Sequence, residues 1–344
     1  MNFSCLIRNS VFLAVALGSN ALGQTSLPTF TVGERNVIII GGKDTYWIND
    51  SAFPFLPDKA GTGKIAFLGD GEVRRYAGPD IDHLMSSPEG KVPVTDAPGQ
   101  NGSWHANGSW MLTATRVSDG TLVGFVHGED HTFADKKYGE WNSTGVWTST
   151  DDGLNWVNQG EVIGSKKPDV HTIAGTAMNE CVWDTVNKRW LGYYGPYAFT
   201  SSDPHGLPGT WFGYHNGTFS QPIDVNAPMP QLTPVPGLAH ANVSWGGLTY
   251  NSYLKQYVMS WCHGQTILAA FSPDGINWGQ VVTLYHDTTT PGATGDDITY
   301  AFIVGDTDTT SGQDCNLVYM YHPPGKTVSK NRKDMVRQSL HFQL

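Results

Sequence analysis

Glu180 has the strongest claim to acid–base chemistry in this sequence. The hexapeptide His105-Ala106-Asn107-Gly108-Ser109-Trp110 recurs as His240-Ala241-Asn242-Val243-Ser244-Trp245. Met178-Asn179-Glu180-Cys181-Val182-Trp183 fits the same frame, and its carboxyl, Glu180, stands where the other copies carry the amides Asn107 and Asn242. Burial among aromatics favours the protonated form of a carboxyl, and a carboxyl protonated near neutral pH can serve as a general acid. It needs a partner that stays ionised. Glu129, in Val126-His127-Gly128-Glu129-Asp130-His131, and Asp82, in Gly78-Pro79-Asp80-Ile81-Asp82-His83, are the candidates. His105, Asn107, His127, His240 and Asn242 would hold polar groups of a ligand. Arg75, in Arg74-Arg75-Tyr76, would suit a carboxylate. His263, after Trp261-Cys262, and Asp296-Asp297 before Tyr300 are further polar clusters. No spacing among these residues is diagnostic of a metal, so no metal or cofactor is expected, with a structural or central-channel cation left open. There is no Gly-x-Ser-x-Gly elbow, phosphate-cradling loop or dinucleotide fingerprint.

These residues need elements to aim them. Charged residues make up 15% of the chain and aromatics 12%, with 40 glycines, a balance that suits short strands and tight turns. No convincing amphipathic helical stretch is present. If the Trp-ended hexapeptides are strands, His105 and Asn107 share one face, as do Met178 and Glu180, because side chains alternate with period two. A second element interleaves with the first. Ser149-Thr150-Asp151-Asp152-Gly153-Leu154-Asn155-Trp156 reads Ser-x-Asp-x-Gly-x-x-Trp, Ser272-Pro273-Asp274-Gly275-Ile276-Asn277-Trp278 is a shorter version, and Ser201–Trp211 a looser one. Asp accepting backbone N–H bonds and Gly at positive φ make this a hairpin turn, with Trp packing under the next strand. The spacing gives five units of roughly 60 to 70 residues, and four-stranded sheets repeated radially make a β-propeller. The expected fold is therefore all-β and five-bladed, with six or seven smaller blades as the alternative. A β-sandwich would not explain the ordered repeat. Val37–Ile40 and Ser339–Phe342 are the expected partners that close the ring and hide its free edges.

The first 23 residues read as a secretory leader: Arg8, the apolar Ser10–Gly18, then Ala21-Leu22-Gly23 before a cut at Gln24. The apolar run is too short to span a bilayer. Residues 24–344 are expected to form a single propeller domain, secreted, extracellular and monomeric. Asn49, Asn101, Asn107, Asn142, Asn216 and Asn242 begin glycosylation sequons, of which Asn49, Asn101, Asn142 and Asn216 are the expected glycan carriers. Asn107 and Asn242 cannot carry glycans and also line a narrow funnel. Cys181, Cys262 and Cys315 allow at most one internal disulfide. A net charge of -10 argues against nucleic acid and acidic membrane surfaces as partners.

The chain resembles the five-bladed propeller glycosidases, glycoside hydrolase family 43 and relatives such as families 32 and 117. The resemblance is carried by Asn187-Lys188-Arg189-Trp190-Leu191-Gly192-Tyr193-Tyr194, by Ser201–Trp211 and by Ser272–Trp278, and spans roughly residues 100 to 320. It implies an early Asp base, a second Asp that tunes the acid, and a Glu acid in a middle blade. Glu180 fits the middle-blade position, and Asp80 and Asp82 lie nearest to the early one. The second blade offers His105 and Asn107 where the family has Asp. The expected function is a glycoside hydrolase acting on a poly- or oligosaccharide with paired carboxylates, Glu180 as acid and Asp82 or Glu129 as base. The alternatives are a polysaccharide lyase that cleaves a uronic-acid linkage with a His or Tyr base and Arg, and a non-catalytic propeller lectin.

Overall fold

A computed structural model describes residues 27–40, 52–69, 71–131, 140–166, 174–239, 243, 246–288, 298–322 and 333–344. The leader, Asn49, His240, Asn242 and Asp296-Asp297 lie outside them. The described residues form five mainly antiparallel sheets, the blades of a propeller, with two short 3-10 turns and no α-helix among them. Blade 1 comprises Phe55–Pro57, Lys64–Leu68, Arg74–Gly78 and Met85–Lys91. Blade 2 comprises Gly108–Arg116, Leu122–Asp130, Trp141–Ser149 and Trp156–Ile163, with Val94–Asp96 outside. Blade 3 runs through Glu180–Asp184, Arg189–Tyr194, Tyr197–Ser201, Trp211–His215 and Thr218–Pro222. Blade 4 has Gly247–Asn251, Gln256–His263, Thr266–Ser272 and Val282–His286. Blade 5 has Ile298–Val304, Asp314–Tyr321, Asp334–Gln343 and, from the other end of the chain, Thr29–Val32. The first strands of successive blades touch one another around the centre.

Each blade is covered on both faces by its neighbours, so inner strands are buried almost continuously: Leu122–Asp130 exposes part of one residue only. The outer strand Thr218–Pro222 alternates exposed and half-buried residues instead. Five apolar clusters fill the five blade interfaces. Trp147, Trp156, Trp190, Trp211 and Trp261 are among the most completely buried side chains, each contributing a few kcal/mol of apolar burial, on the order of 2–3.

The Ser-Asp-Gly-Trp segments are hairpin turns in blades 2, 3 and 4. Ser149 Oγ accepts from Gly153 N–H at 3.0 Å, Asp151 Oδ1 accepts from Asn155 N–H at 2.9 Å, and Trp156 Nε1 donates to Gly153 O at 3.1 Å. Ser272 and Asp274 repeat the pattern, and Trp211 Nε1 reaches Gly206 O. Gly153 and Gly275 take φ of 78° and 72°. These turns also hold adjacent blades: Arg75 Nε donates to Asp152 O, and Arg189 donates to Asp274 O.

Ring closure uses more chain than expected. Val37 and Ile39 pair with Val336 and Met335, while residues 340–343 pair with Thr29–Val32. The Trp-ended hexapeptides are not equivalent strands, which corrects the sequence expectation. Asn101 caps a 3-10 turn, Gly102–His105, by accepting from Ser103 N–H, so the blade 2 strand starts only at Gly108 and His105 and Asn107 precede it. Cys181, Cys262 and Cys315 are free thiols.

Candidate active site

All five blades contribute to one cavity of about 140 Å³ at the N-terminal ends of their inner strands. Ala52 precedes the blade 1 strand, Trp110 and Leu112 open the blade 2 strand, and Asn179 and Gly246 precede those of blades 3 and 4. Tyr300 and Phe302 come from blade 5, and His127 and Glu129 from the end of the second strand of blade 2. Tyr300 has φ of 57° at an irregularity in strand pairing between Thr299 and Phe302. A bulky residue held at positive φ is a genuine outlier costing about 1–3 kcal/mol, and such strain clusters at functional sites. The bulge re-aims the Tyr300 ring into the cavity wall. His127 is buried and packs edge-on against Trp110, with ring centroids 5.6 Å apart.

Two carboxyl groups with opposite electrostatics belong to this region: Glu129 lines the cavity, and Glu180 lies behind its wall, next to Asn179 and bonded to Gly246. Glu180 follows Asn179, opens the blade 3 strand, is 2% exposed, and accepts from Gly246 N–H at 3.2 Å through Oε1. Its Oε2 has no partner among the described residues. Burial pushes this carboxyl up to about 8, against the smaller opposing pull of the Gly246 N–H. Glu129 goes the other way. Burial raises it, but hydrogen bonds and charge from His127 and His131 outweigh burial and leave it below the usual carboxylate value. Its Oε2 lies 2.7 Å from His131 Nε2, and its Oε1 3.6 Å from His127 Nε2. Glu129, His131 and Glu140 bring ligand atoms within 4.8 Å of one another, so these three could hold a divalent cation.

The other sequence candidates are dispersed. Asp82 does not reach the cavity. Both its oxygens accept from Arg337 of blade 5, Asn36 donates to it, and the Arg337 bond holds its pKa down. Arg75 is tied to the Asp152 turn of blade 2. His263 is exposed at the end of its strand in blade 4. His105 and Asn107 line a different space, between blades 1 and 2. His105 Nδ1 meets Ser109 Oγ at 3.2 Å, and Asn107 Oδ1 accepts from His131 N–H at 2.8 Å, so Asn107 braces the segment that carries Glu129. Asn101 and Asn216 are exposed, whereas the Asn142 amide nitrogen donates to Glu140 and its Oδ1 is buried. An amide engaged this way inside a sheet is a poor glycan acceptor.

In the sequence Trp110 is only the end of a motif and Tyr300 only a neighbour of the Asp296-Asp297 pair; their place in the wall depends on strand ends that the fold alone reveals. Asp308 escapes sequence reasoning altogether. It is 8% exposed, its Oδ2 accepts from Thr113 Oγ1 at 2.8 Å, and burial pushes it up to about 7. It follows the blade 5 inner strand, at the end remote from Glu180. Nothing in the run Asp306-Thr307-Asp308-Thr309-Thr310 distinguishes it from a solvated turn.

No protein-family model and no curated protein matches this sequence. Solved structures do match the fold. Zg3597, a family 117 glycoside hydrolase produced by the marine bacterium Zobellia galactanivorans, superposes with a TM-score of 0.53 at 12% identity, over 91% of this chain and 90% of that one. A glycosyl hydrolase from Bacteroides ovatus gives 0.51 at 13% identity, over 89% and 94%. The chain therefore has the five-bladed propeller fold found in these glycoside hydrolases, with one asymmetric cavity at its centre.

Proposed function

We propose that this chain is a secreted glycoside hydrolase whose reaction takes place at the central cavity, with Glu180 as general acid and Glu129 as the ionised carboxylate. The observation that carries the reading is the Glu180 carboxyl, kept neutral by burial, with one oxygen lacking a partner among the described residues, next to the wall residues Asn179 and Gly246 of a cavity that an ionised Glu129 lines. A neutral carboxyl has an O–H to donate, and a glycosidic oxygen is the acceptor it lacks. Two carboxyls pushed apart in pKa are the arrangement that acid–base cleavage of an acetal needs. As the glycosidic C–O bond breaks, the Glu180 proton passes to the leaving sugar oxygen, and the Glu129 carboxylate takes a proton from the water that attacks the anomeric carbon. Trp110 and Tyr300 offer rings for a sugar face. The fold shared with glycoside hydrolases supports the class, not the sugar or linkage. Placement outside the cell rests on the leader and on the sequons at Asn101 and Asn216.

Glu180→Gln tests the assignment. On a substrate with a poor leaving group, turnover should slow about 10²–10⁴-fold, and on an aryl glycoside that needs no protonation much less. In the wild type, kcat/KM should decline above about pH 8, as Glu180 ionises. Equal losses on both substrates would show that Glu180 is not the acid. Elimination from a uronic acid keeps one supporting observation, that His105 and Arg74 line the same groove. An unsaturated, ultraviolet-absorbing product would establish it.

A further inference from the structure

Beside the central cavity lies a larger space of about 920 Å³ between blades 1 and 2. Glu72, Arg74 and Lys91 line it from blade 1, and His105, Asn107 and Ser109 from the approach to blade 2. Arg74 and Lys91 are direct cross-strand partners. Like charges placed opposite each other on a sheet are destabilising, so the pairing needs a reason. Glu72 reaches both cations, at 3.2 Å and 3.5 Å. Among the described lining residues two cations stand against one carboxylate, on a chain whose net charge is -10. The Arg74 side chain is only 21% exposed, so its guanidinium is held near the wall, while Lys91, 68% exposed, reaches into solvent. Burial lowers the pKa of His105 and keeps the imidazole neutral, a hydrogen-bonding group rather than a third cation. The groove and the cavity adjoin: Gly108 and Ser109 line the first, and the next residue, Trp110, lines the second.

We infer that this groove is a subsite for an anionic sugar unit of the substrate, a uronate carboxylate or a sulfate ester, gripped by Arg74 and Lys91. This deepens the proposed function and rests on it for the identity of the cleaved chain. Arg presents two parallel N–H donors to such an anion.

Calorimetric binding to the Glu180→Gln protein reads the groove without turnover. Neutral, uronate-bearing and sulfated oligosaccharides of equal length are compared at low salt. One or both anionic sets should bind about tenfold tighter than the neutral set, as expected of a charge-assisted bidentate bond. The better anionic arm identifies the group. Arg74→Gln should abolish the preference. Glu72→Gln, which removes the competing carboxylate, should strengthen anion binding. Equal binding of all three sets, or a preference that survives both Arg74→Gln and Lys91→Gln, overturns the inference. So does an unsaturated product from the wild type on uronate chains, which would make the groove the reacting centre. If wild-type turnover fails the leaving-group test while the anion preference holds, the hydrolase reading falls and the anion site stands.

Discussion

Glu180→Gln should stabilise this protein, and by an amount that grows with pH. The buried carboxyl has its pKa raised from 4.5 to about 8, mainly by desolvation. In the unfolded chain the same group ionises near 4.5. Between these values the folded state binds a proton that the unfolded state has released, so folding becomes less favourable as pH rises. At about 1.4 kcal/mol per pH unit the penalty reaches on the order of 3 kcal/mol at pH 7 and levels off above pH 8 near 5 kcal/mol. Gln has the shape of the neutral acid, can still accept from Gly246 N–H, and titrates nowhere. Its stability should match the wild type at pH 4.5 and exceed it at pH 7, by a Tm difference on the order of 5 °C. Urea unfolding of both proteins at pH 4.5, 6, 7 and 8 measures this directly. Asp308, raised from 3.8 to about 7 by burial, adds a parallel loss below pH 7 that Gln at 180 leaves in place. The carboxyls with lowered pKa, such as Glu129 and Asp82, act in the opposite sense: their stabilisation is present above the unfolded value and is lost as pH falls below it. A Glu180→Gln protein that is less stable at pH 7, or whose advantage is constant with pH, would refute a neutral Glu180 in the folded state.

Two further substitutions separate position from chemistry. Tyr300 at φ 57° should tolerate Gly better than Val. Gly takes positive φ freely, and a residue branched at Cβ does not, so Tyr300→Val should melt lower than Tyr300→Gly, by about 1–3 kcal/mol. The reverse order would mean that the strained backbone does not exist in solution. Asp82→Asn removes the pair with Arg337 and should cost about 1 kcal/mol or less in urea unfolding, with turnover unchanged. Turnover slowed by about a hundredfold or more would restore Asp82 as the base.

The blade pattern is legible in the sequence because it is local. Ser149, Asp151, Gly153 and Trp156 make a turn whose hydrogen bonds all close within eight residues, so their order in sequence is their geometry. The count of five follows from the spacing of such units. The strand starts are less legible. Asn101 diverts the backbone into a 3-10 turn through one side-chain bond, and this shifts His105 and Asn107 out of the strand that the matching hexapeptide suggests. A repeated sequence fixes a repeated strand only when the flanking caps repeat as well, and the Met178 copy has no Asn at the position of Asn101.

The same reasoning explains what can be read of the site. Glu180 stands out in the sequence as an odd carboxyl in an amide slot, and the slot is not shared: Asn107 lies before its strand while Glu180 opens its own. What makes Glu180 notable is desolvation between blades 3 and 4, together with the approach of Gly246, 66 residues away. That environment belongs to the closed ring rather than to any segment. Asp308 shows the converse, since an acid in an ordinary turn-like run becomes a buried one only when Thr113 of blade 2 packs against it. Glu129 is legible for a better reason. Its two imidazole neighbours, His127 and His131, stand two residues away on either side: strand alternation puts His127 on the face of Glu129, and His131, the residue after the strand ends, still reaches its carboxylate.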